Sequence, residues 1–232
     1  MSSVLITGAN RGLGLEFAKQ YSNDGWRVFA CCRYPDRADE LSDLAGASDG
    51  SLSLHPLDVS LEPTIFALAE ELRGEPIDIL LNNAGIYGDD NRDDFGKIDY
   101  QRWAETFRVN VLGAMRVTEA FIENVASSEK RVLAFLSSLM GSISDNASGG
   151  CYMYRSSKAA LNAIAKSLSI DLKDRGVRTV VLHPGWVRTD MGGEKAPLLP
   201  PESIGGMRRV LDRIKEEDSG RFLSYAGAEL PW

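Results

Sequence analysis

Thr7-Gly8-Ala9-Asn10-Arg11-Gly12-Leu13-Gly14 decides how this chain reads. The apolar run Val4-Leu5-Ile6 before it has the length of a buried strand, and residues 13–21 after it carry apolar side chains at helical spacing. Three glycines at a strand-to-helix turn let the backbone come close to a pyrophosphate and aim a helix N-terminus at it. The spacing T-G-x-x-x-G-x-G departs from the common dinucleotide fingerprint G-x-G-x-x-G. Gly8, Asn10, Arg11, Gly12, Leu13 and Gly14 are candidate contacts to a bound nucleotide.

Outward from this turn, strands and helices alternate. Residues 27–32 read as a second strand, 38–44 as a short helix and 51–55 as a third strand. Ser60 is a candidate N-cap for the next helix, which has Pro63 in its first turn and Ile65, Leu68 and Leu72 on its apolar face. A fourth strand over 77–81 runs into Asn82-Asn83-Ala84-Gly85. The loop over 88–99 carries Asp89, Asp90, Asp93 and Asp94 but has no EF-hand pattern, and reads as solvated rather than as a metal site. Long helices are predicted over 100–125 and 153–174, with strands over 132–136 and 177–182. A Gly/Pro loop over 192–201, a charged helix to about residue 217 and an edge strand over 222–224 complete the pattern. Such alternation predicts an α/β fold, a doubly wound parallel sheet of about seven strands with helices on both faces. No linker or repeat divides the chain, so one domain over 1–232 is expected.

A chain of 232 residues with 44% apolar and 25% charged residues can build a sizeable core. No apolar run has the length of a membrane span, and residues 4–6 are too short for a signal-peptide core. Three cysteines, an odd number, do not form a disulfide framework, and a reducing, cytoplasmic setting is expected. The net charge of -7 argues against nucleic-acid and anionic-membrane partners. The two histidines, His55 and His183, lie far apart, and no metal site is expected.

The chemistry centres on Tyr154-Arg155-Ser156-Ser157-Lys158. A tyrosine and a lysine four apart share a helix face, and a nearby ammonium favours the phenolate. Such a phenol can exchange a proton with a carbonyl or alcohol oxygen. Ser137-Ser138 ends the fifth strand, at the carboxyl edge where open α/β sheets bind ligands. A hydroxyl there can donate to a substrate oxygen as charge develops on it. Asn110 lies mid-helix, where its propensity is poor.

In this order the motifs resemble the short-chain dehydrogenase/reductase family, a Rossmann-type fold, along almost the whole chain. The resemblance implies that Ser138, Tyr154 and Lys158 are catalytic. Asn110 would be a fourth member, supporting a water that links Lys158 to solvent. It further implies that Asp58 and Val59 line an adenine, and that Asn83, Ala84 and Gly85 flank the cofactor. Pro184, Gly185, Val187 and Thr189 would form the nicotinamide loop after the sixth strand, while Tyr154 and Lys158 also touch the cofactor. His183 receives no catalytic role. Gly149-Gly150 before the Tyr154 motif, and Ala226-Gly227 ahead of Pro231-Trp232, look most like the sniffer/C-factor branch, which includes carbonyl reductases and proteins linked to signalling. Ser138 lies farther before Tyr154 than is common in the family, so Ser142 and Ser144 stay open as alternative donors.

NAD-specific members end the second strand with an acid that bonds the ribose hydroxyls. Here Cys32 and Arg33 stand there, and Arg11 can approach a 2′-phosphate from the other side, which fits NADP(H). The reading is NADPH-dependent reduction of an aldehyde, ketone or quinone, with a cofactor-binding signalling or interaction protein as the alternative. Family analogy implies a homodimer through the two long helices. A lid is expected over 191–207, hinged at Gly192-Gly193 and stiffened by Pro197, Pro200 and Pro201. Tyr87, Met140, Trp186, Leu198 and Leu199 would then give an apolar wall and a small apolar carbonyl substrate. Alternatively, Leu198 and Leu199 pack the lid onto the core.

Overall fold

Runs of apolar residues form the strands β1 (Ser3–Thr7), β2 (Arg27–Cys32), β3 (Leu52–Pro56), β4 (Ile79–Asn82), β5 (Val132–Leu136), β6 (Arg178–His183) and β7 (Arg221–Ser224). In the computed structural model, which describes residues 1–89 and 95–232, they pair in parallel in the order β3-β2-β1-β4-β5-β6-β7. Strand order reverses between β1 and β4, the switch point where open α/β sheets bind ligands. The central strands β4 and β5 are almost wholly apolar and fully buried because both faces are covered, whereas the edge strands β3 and β7 are mixed. Val4 and Ile6 point into one core with Val28, Ala30 and Ile79, while Leu5 points into the other with Phe29 and Leu80.

The helices are α1 (Gly12–Asn23), α2 (Asp39–Gly46), α3 (Glu62–Glu71), α4 (Tyr100–Phe107), α5 (Ala114–Ala126), α6 (Tyr152–Asp171) and α7 (Pro200–Arg213). Phe17 and Tyr21 of α1, Leu41 of α2 and Met207 of α7 fill the first core. Ile65 of α3, Phe121 of α5 and Leu161 of α6 fill the second. This is the doubly wound sheet with helices on both faces that the alternation predicts.

Three local expectations change. The helix expected over 100–125 is broken by a π-helical segment, Arg108–Gly113, that a regular 3.6-residue period cannot foresee. Ser60 does not cap α3: its hydroxyl donates to Asp58 Oδ1 at 2.6 Å, and the N-cap position is Leu61. The lid expected over 191–207 is shorter, because Pro200 and Pro201 open α7 at positions where their missing N–H groups are no loss. Asp90, Asp93 and Asp94 lie outside the described residues.

Candidate active site

The glycine turn is built against its neighbours as tightly as against any ligand. A Cβ on Gly14 would come 2.1 Å from the Gly8 carbonyl oxygen, and Gly8 has a positive φ of 69°. Asn83 Nδ2 donates to the carbonyls of Thr7 at 2.7 Å and Gly8 at 3.1 Å, and the N–H groups of Asn83 and Ala84 both donate to Thr7 Oγ1. The Asn-Asn-Ala-Gly stretch therefore braces the turn from β4. The N-terminus of α1 has no side-chain cap and no acidic residue in its first turn, which leaves its positive end open to an anion.

This turn opens one wall of a cleft of about 820 Å³ along the carboxyl edge of the sheet. Gly8, Asn10, Arg11, Gly12, Leu13, Gly14, Arg33, Asp58, Val59, Asn83, Ala84, Gly85, Pro184, Gly185, Val187 and Thr189 all line it. At the β2 end, Cys32 stands where an acid would bond ribose hydroxyls, and Arg33 and Arg37 both face the cleft. Arg37 was not singled out in the sequence. It ends a short 3-10 turn opened by Pro35 and places its guanidinium over Tyr34, 5.4 Å from the ring centroid. Arg11 lines the cleft as well. Its guanidinium pairs with Asp190 at 2.6 Å, tying the glycine turn to the loop after β6.

At the other end the proton-transfer groups converge. Ser137 and Ser138 divide their roles by strand alternation. Ser137 Oγ donates to Asn162 Oδ1 at 2.6 Å inside the core, whereas Ser138 Oγ accepts from the Met140 N–H and faces the cleft beside Tyr154. Ser142 and Ser144, the alternative donors, both donate to the Trp232 carbonyl, at 3.1 and 2.9 Å, and do not line the cleft. His183 accepts from the Leu139 N–H through Nδ1 at 3.2 Å, and burial lowers its pKa to about 4, so it is a neutral brace for the serine turn.

Tyr154 and Lys158 both line the cleft from α6, with the ammonium 5.6 Å from the phenol ring centroid. Burial pushes Tyr154 up to about 12, with the Ser138 hydroxyl pulling it back. Burial brings Lys158 down to about 8, and its Nζ donates to the Leu136 carbonyl at 2.9 Å. Burial thus sets the direction for both groups. Asn110 does not line the cleft. In the π-helical segment its side chain pairs with both backbone groups of Ile86, each at 2.8 Å, and Nδ2 also donates to Ser157 Oγ. A Cβ on Gly85 would lie 3.2 Å from Asn110 Oδ1 and 3.5 Å from Lys158 Nζ, so glycine is what lets this strand end pass so close.

Tyr87, Met140 and Trp186 line the mouth, joined by Met191. Leu198 and Leu199 do not. Leu198 is buried, forms a parallel bridge with Val187 and packs against Gly185, while Leu199 is half exposed at the start of α7. The packing alternative holds for Leu198 alone. The segment is pinned by the Leu198 N–H to the Trp186 carbonyl and the Arg188 N–H to the Leu198 carbonyl.

The cleft therefore offers an open helix N-terminus and a glycine cradle for a pyrophosphate. It adds two guanidinium groups at the β2 end and a hydroxyl, a phenol and an ammonium at the far end. These features suit a dinucleotide bound across the switch point. The family model for the short chain dehydrogenase matches residues 2–198. The chain belongs to the short-chain dehydrogenases. Relatives include the C-signal protein of Myxococcus xanthus, 47% identical over 166 residues covering 72% of this chain and 99% of that one. Among solved structures, the carbonyl reductase Sniffer of D. melanogaster has a TM-score of 0.93 at 34% identity, with all of both chains covered. The NADPH-bound carbonyl reductase from chicken fatty liver has a TM-score of 0.91 at 35% identity, over 100% of this chain and 99% of that one. These relatives fall in the sniffer/C-factor branch named from the motifs.

Within this short-chain dehydrogenase, sequence reasoning passed over Arg37, Met191 and the pair Tyr87–Cys151, whose Oη and Sγ lie 3.1 Å apart. Arg37 alone had a local signal, lying four residues beyond Arg33. Among the described residues no helix is long and apolar enough to cross a membrane, and no cluster of His, Cys, Asp or Glu could hold a metal ion.

Proposed function

We propose that this short-chain dehydrogenase reduces an aldehyde, ketone or quinone at the expense of NADPH. The observation that carries this reading is that Ser138, Tyr154 and Lys158 share one cleft with Arg33 and Arg37, with no carboxylate at the end of β2. NADPH, when bound, supplies a hydride. Ser138 would donate its hydroxyl proton in a hydrogen bond to the carbonyl oxygen, which its acceptance from Met140 leaves free to do. Tyr154, held in its acid form through neutral pH by burial, would protonate that oxygen as charge develops. Lys158, close to half protonated near pH 8, can take up and hand on protons at working pH and would hold the nicotinamide ribose. Asn110 would steady this relay through its hold on Ile86.

The apolar mouth formed by Tyr87, Met140, Trp186 and Met191 favours a small apolar carbonyl compound. Oxidation of NADPH across a carbonyl panel tests this: aromatic and medium-chain compounds should exceed small polar ones in kcat/KM, and the reverse order would contradict it. A second reading, a cofactor-binding signalling or interaction protein, draws on the similarity to the C-signal protein. NADPH binding with no turnover of any carbonyl would favour it.

Arg33→Ala should weaken NADPH by about 1.5–3 kcal/mol, because a charge-assisted contact to the 2′-phosphate is lost, and should leave NADH almost unchanged. Fluorescence titration with both cofactors checks this, and equal losses would contradict it. Three free cysteines suit a reducing, cytoplasmic setting. A homodimer through the two long helical stretches, 100–126 and α6, is the family's expectation, and each stretch carries an exposed apolar residue, Leu112 and Ile170. Light scattering should give twice the chain mass at micromolar concentration, and a monomer would contradict it.

A further inference from the structure

The first turn of α6 sets where Tyr154 stands, yet the helix does not cap itself. Its N-cap residue, Cys151, sits in the left-handed region with φ 48° and makes no side-chain cap bond, and the first turn holds no acidic residue. Orphan N–H groups at such a buried helix end need acceptors. They find one in Asp89, on the loop after β4. Its Oδ1 accepts from the Met153 N–H at 3.2 Å and its Oδ2 from the Tyr154 N–H at 2.8 Å. The N-terminus of α1, where a phosphate is expected, is left open, whereas the N-terminus of α6 is neutralised by a carboxylate from another element.

We propose that Asp89 is a positioning residue for the proton donor. Its carboxylate fixes the first turn of α6 and cancels the positive helix end beside Tyr154, which keeps the phenol in its acid form and biases the site toward carbonyl reduction. The proposal rests on Tyr154 as that donor. A bare helix N-terminus favours an anion nearby and so favours phenolate, while a carboxylate bound there opposes it.

Other groups around Tyr154 are accounted for. Tyr87, two residues before Asp89, holds its ring tilted at 38° and 4.8 Å from that of Tyr154, and lies against Cys151. Ser138 comes from the end of β5 and Lys158 from the next turn of α6. Arg155 turns away to the Met140 carbonyl and Ser148 Oγ, and Trp103 of α4 meets Ser156. His183 from β6 is neutral with Asp145 near it, and Asn110 is engaged with Ile86 and Ser157. Asp89 is the carboxylate bonded to the Tyr154 backbone.

Asp89→Asn removes the charge and keeps one of the two acceptors, its amide oxygen, for the Tyr154 N–H. The ionisation of Tyr154 in the ligand-free protein can be followed by NMR of ring-labelled tyrosine, its signal assigned by its loss in Tyr154→Phe. In Asp89→Asn it should move down by roughly half to one pH unit. The alkaline limb of the reduction profile should move down with it, since activity is lost as the phenol deprotonates. Asp89→Glu, which keeps the charge, should leave the ionisation in place. Asp89→Ala loses acceptor and charge and should lower kcat about ten- to a hundredfold with little change in NADPH affinity. If Asp89→Asn does not fold, Asp89→Gln, neutral and compared with the charged Asp89→Glu of the same length, serves the same measurement. A Tyr154 ionisation that is unmoved or raised in the neutral variants would overturn the proposal. So would equal kcat losses in the Asn and Ala variants with no pH movement, which would make Asp89 a brace only. Turnover surviving in Tyr154→Phe would instead overturn the donor reading, while the titration of Tyr154 would still report on Asp89.

Discussion

Replacing Tyr154 by Phe should lower carbonyl reduction by about 10²–10⁴-fold, the range typical of a lost general acid. The dissociation constant for NADPH should change little. The substitution removes one oxygen and leaves the ring, which lies tilted 4.8 Å from Tyr87 in a buried site. The fold should therefore persist and the lost term should appear in kcat rather than in binding. Steady-state kinetics together with a cofactor titration separate the two. A variant with near-parental turnover would mean that the proton comes from elsewhere, and Ser138, the neighbouring hydroxyl, would be the group to examine.

The second large effect is expected at Lys158, where activity and stability should move in opposite directions. Lys158→Met should abolish reduction, since the ammonium serves both the ribose and the proton relay in the proposed mechanism. The ligand-free protein, however, should become more stable at neutral pH. Burial lowers Lys158 from 10.5 to about 8. Between those values the unfolded chain binds the proton and the native protein does not, so this group makes stability rise with pH across that window. At pH 7 the native protein carries a buried ammonium, which costs it stability relative to the unfolded chain. Removing it should give a net gain of about 1–2 kcal/mol, after the loss of the bond to the Leu136 carbonyl is offset. Near pH 10.5 the gain should vanish. Urea denaturation of parent and variant at the two pH values checks this, and a variant less stable than the parent at pH 7 would contradict the burial argument.

Much of the site was legible because its chemistry is written in short local spacings. The turn from Thr7 to Gly14 announces itself by three glycines, and the structure gives Gly14 a reason, since a Cβ there would meet the Gly8 carbonyl at 2.1 Å. Tyr154 and Lys158 are one helical turn apart, so one element presents both. The resemblance named Ser138, and the structure adds that the hydroxyl of its neighbour Ser137 is spent on Asn162. What escaped was tertiary. The π-helical segment that turns Asn110 toward Ile86 breaks the period on which helix reading depends. Arg11 found a carboxylate, Asp190, 179 residues away, and no spacing rule reaches that far. Leu198 looked like a lid tip because it follows glycines and prolines, but its bridge to Val187 folds it inward against Gly185. Asp89 read as one acid in an acidic loop, and only the place of Asp89 itself beside the first turn of α6 reveals its two backbone partners.

The central claim is that hydride passes to a carbonyl carbon in the cleft where Ser138 and Tyr154 meet. Single-turnover reaction with NADPH carrying deuterium at the pro-S position of the nicotinamide, followed by mass spectrometry of the alcohol, tests it most directly. The account predicts deuterium on the carbinol carbon, with transfer lost in Tyr154→Phe. Tight NADPH binding with no deuterium in any product across the carbonyl panel would contradict it.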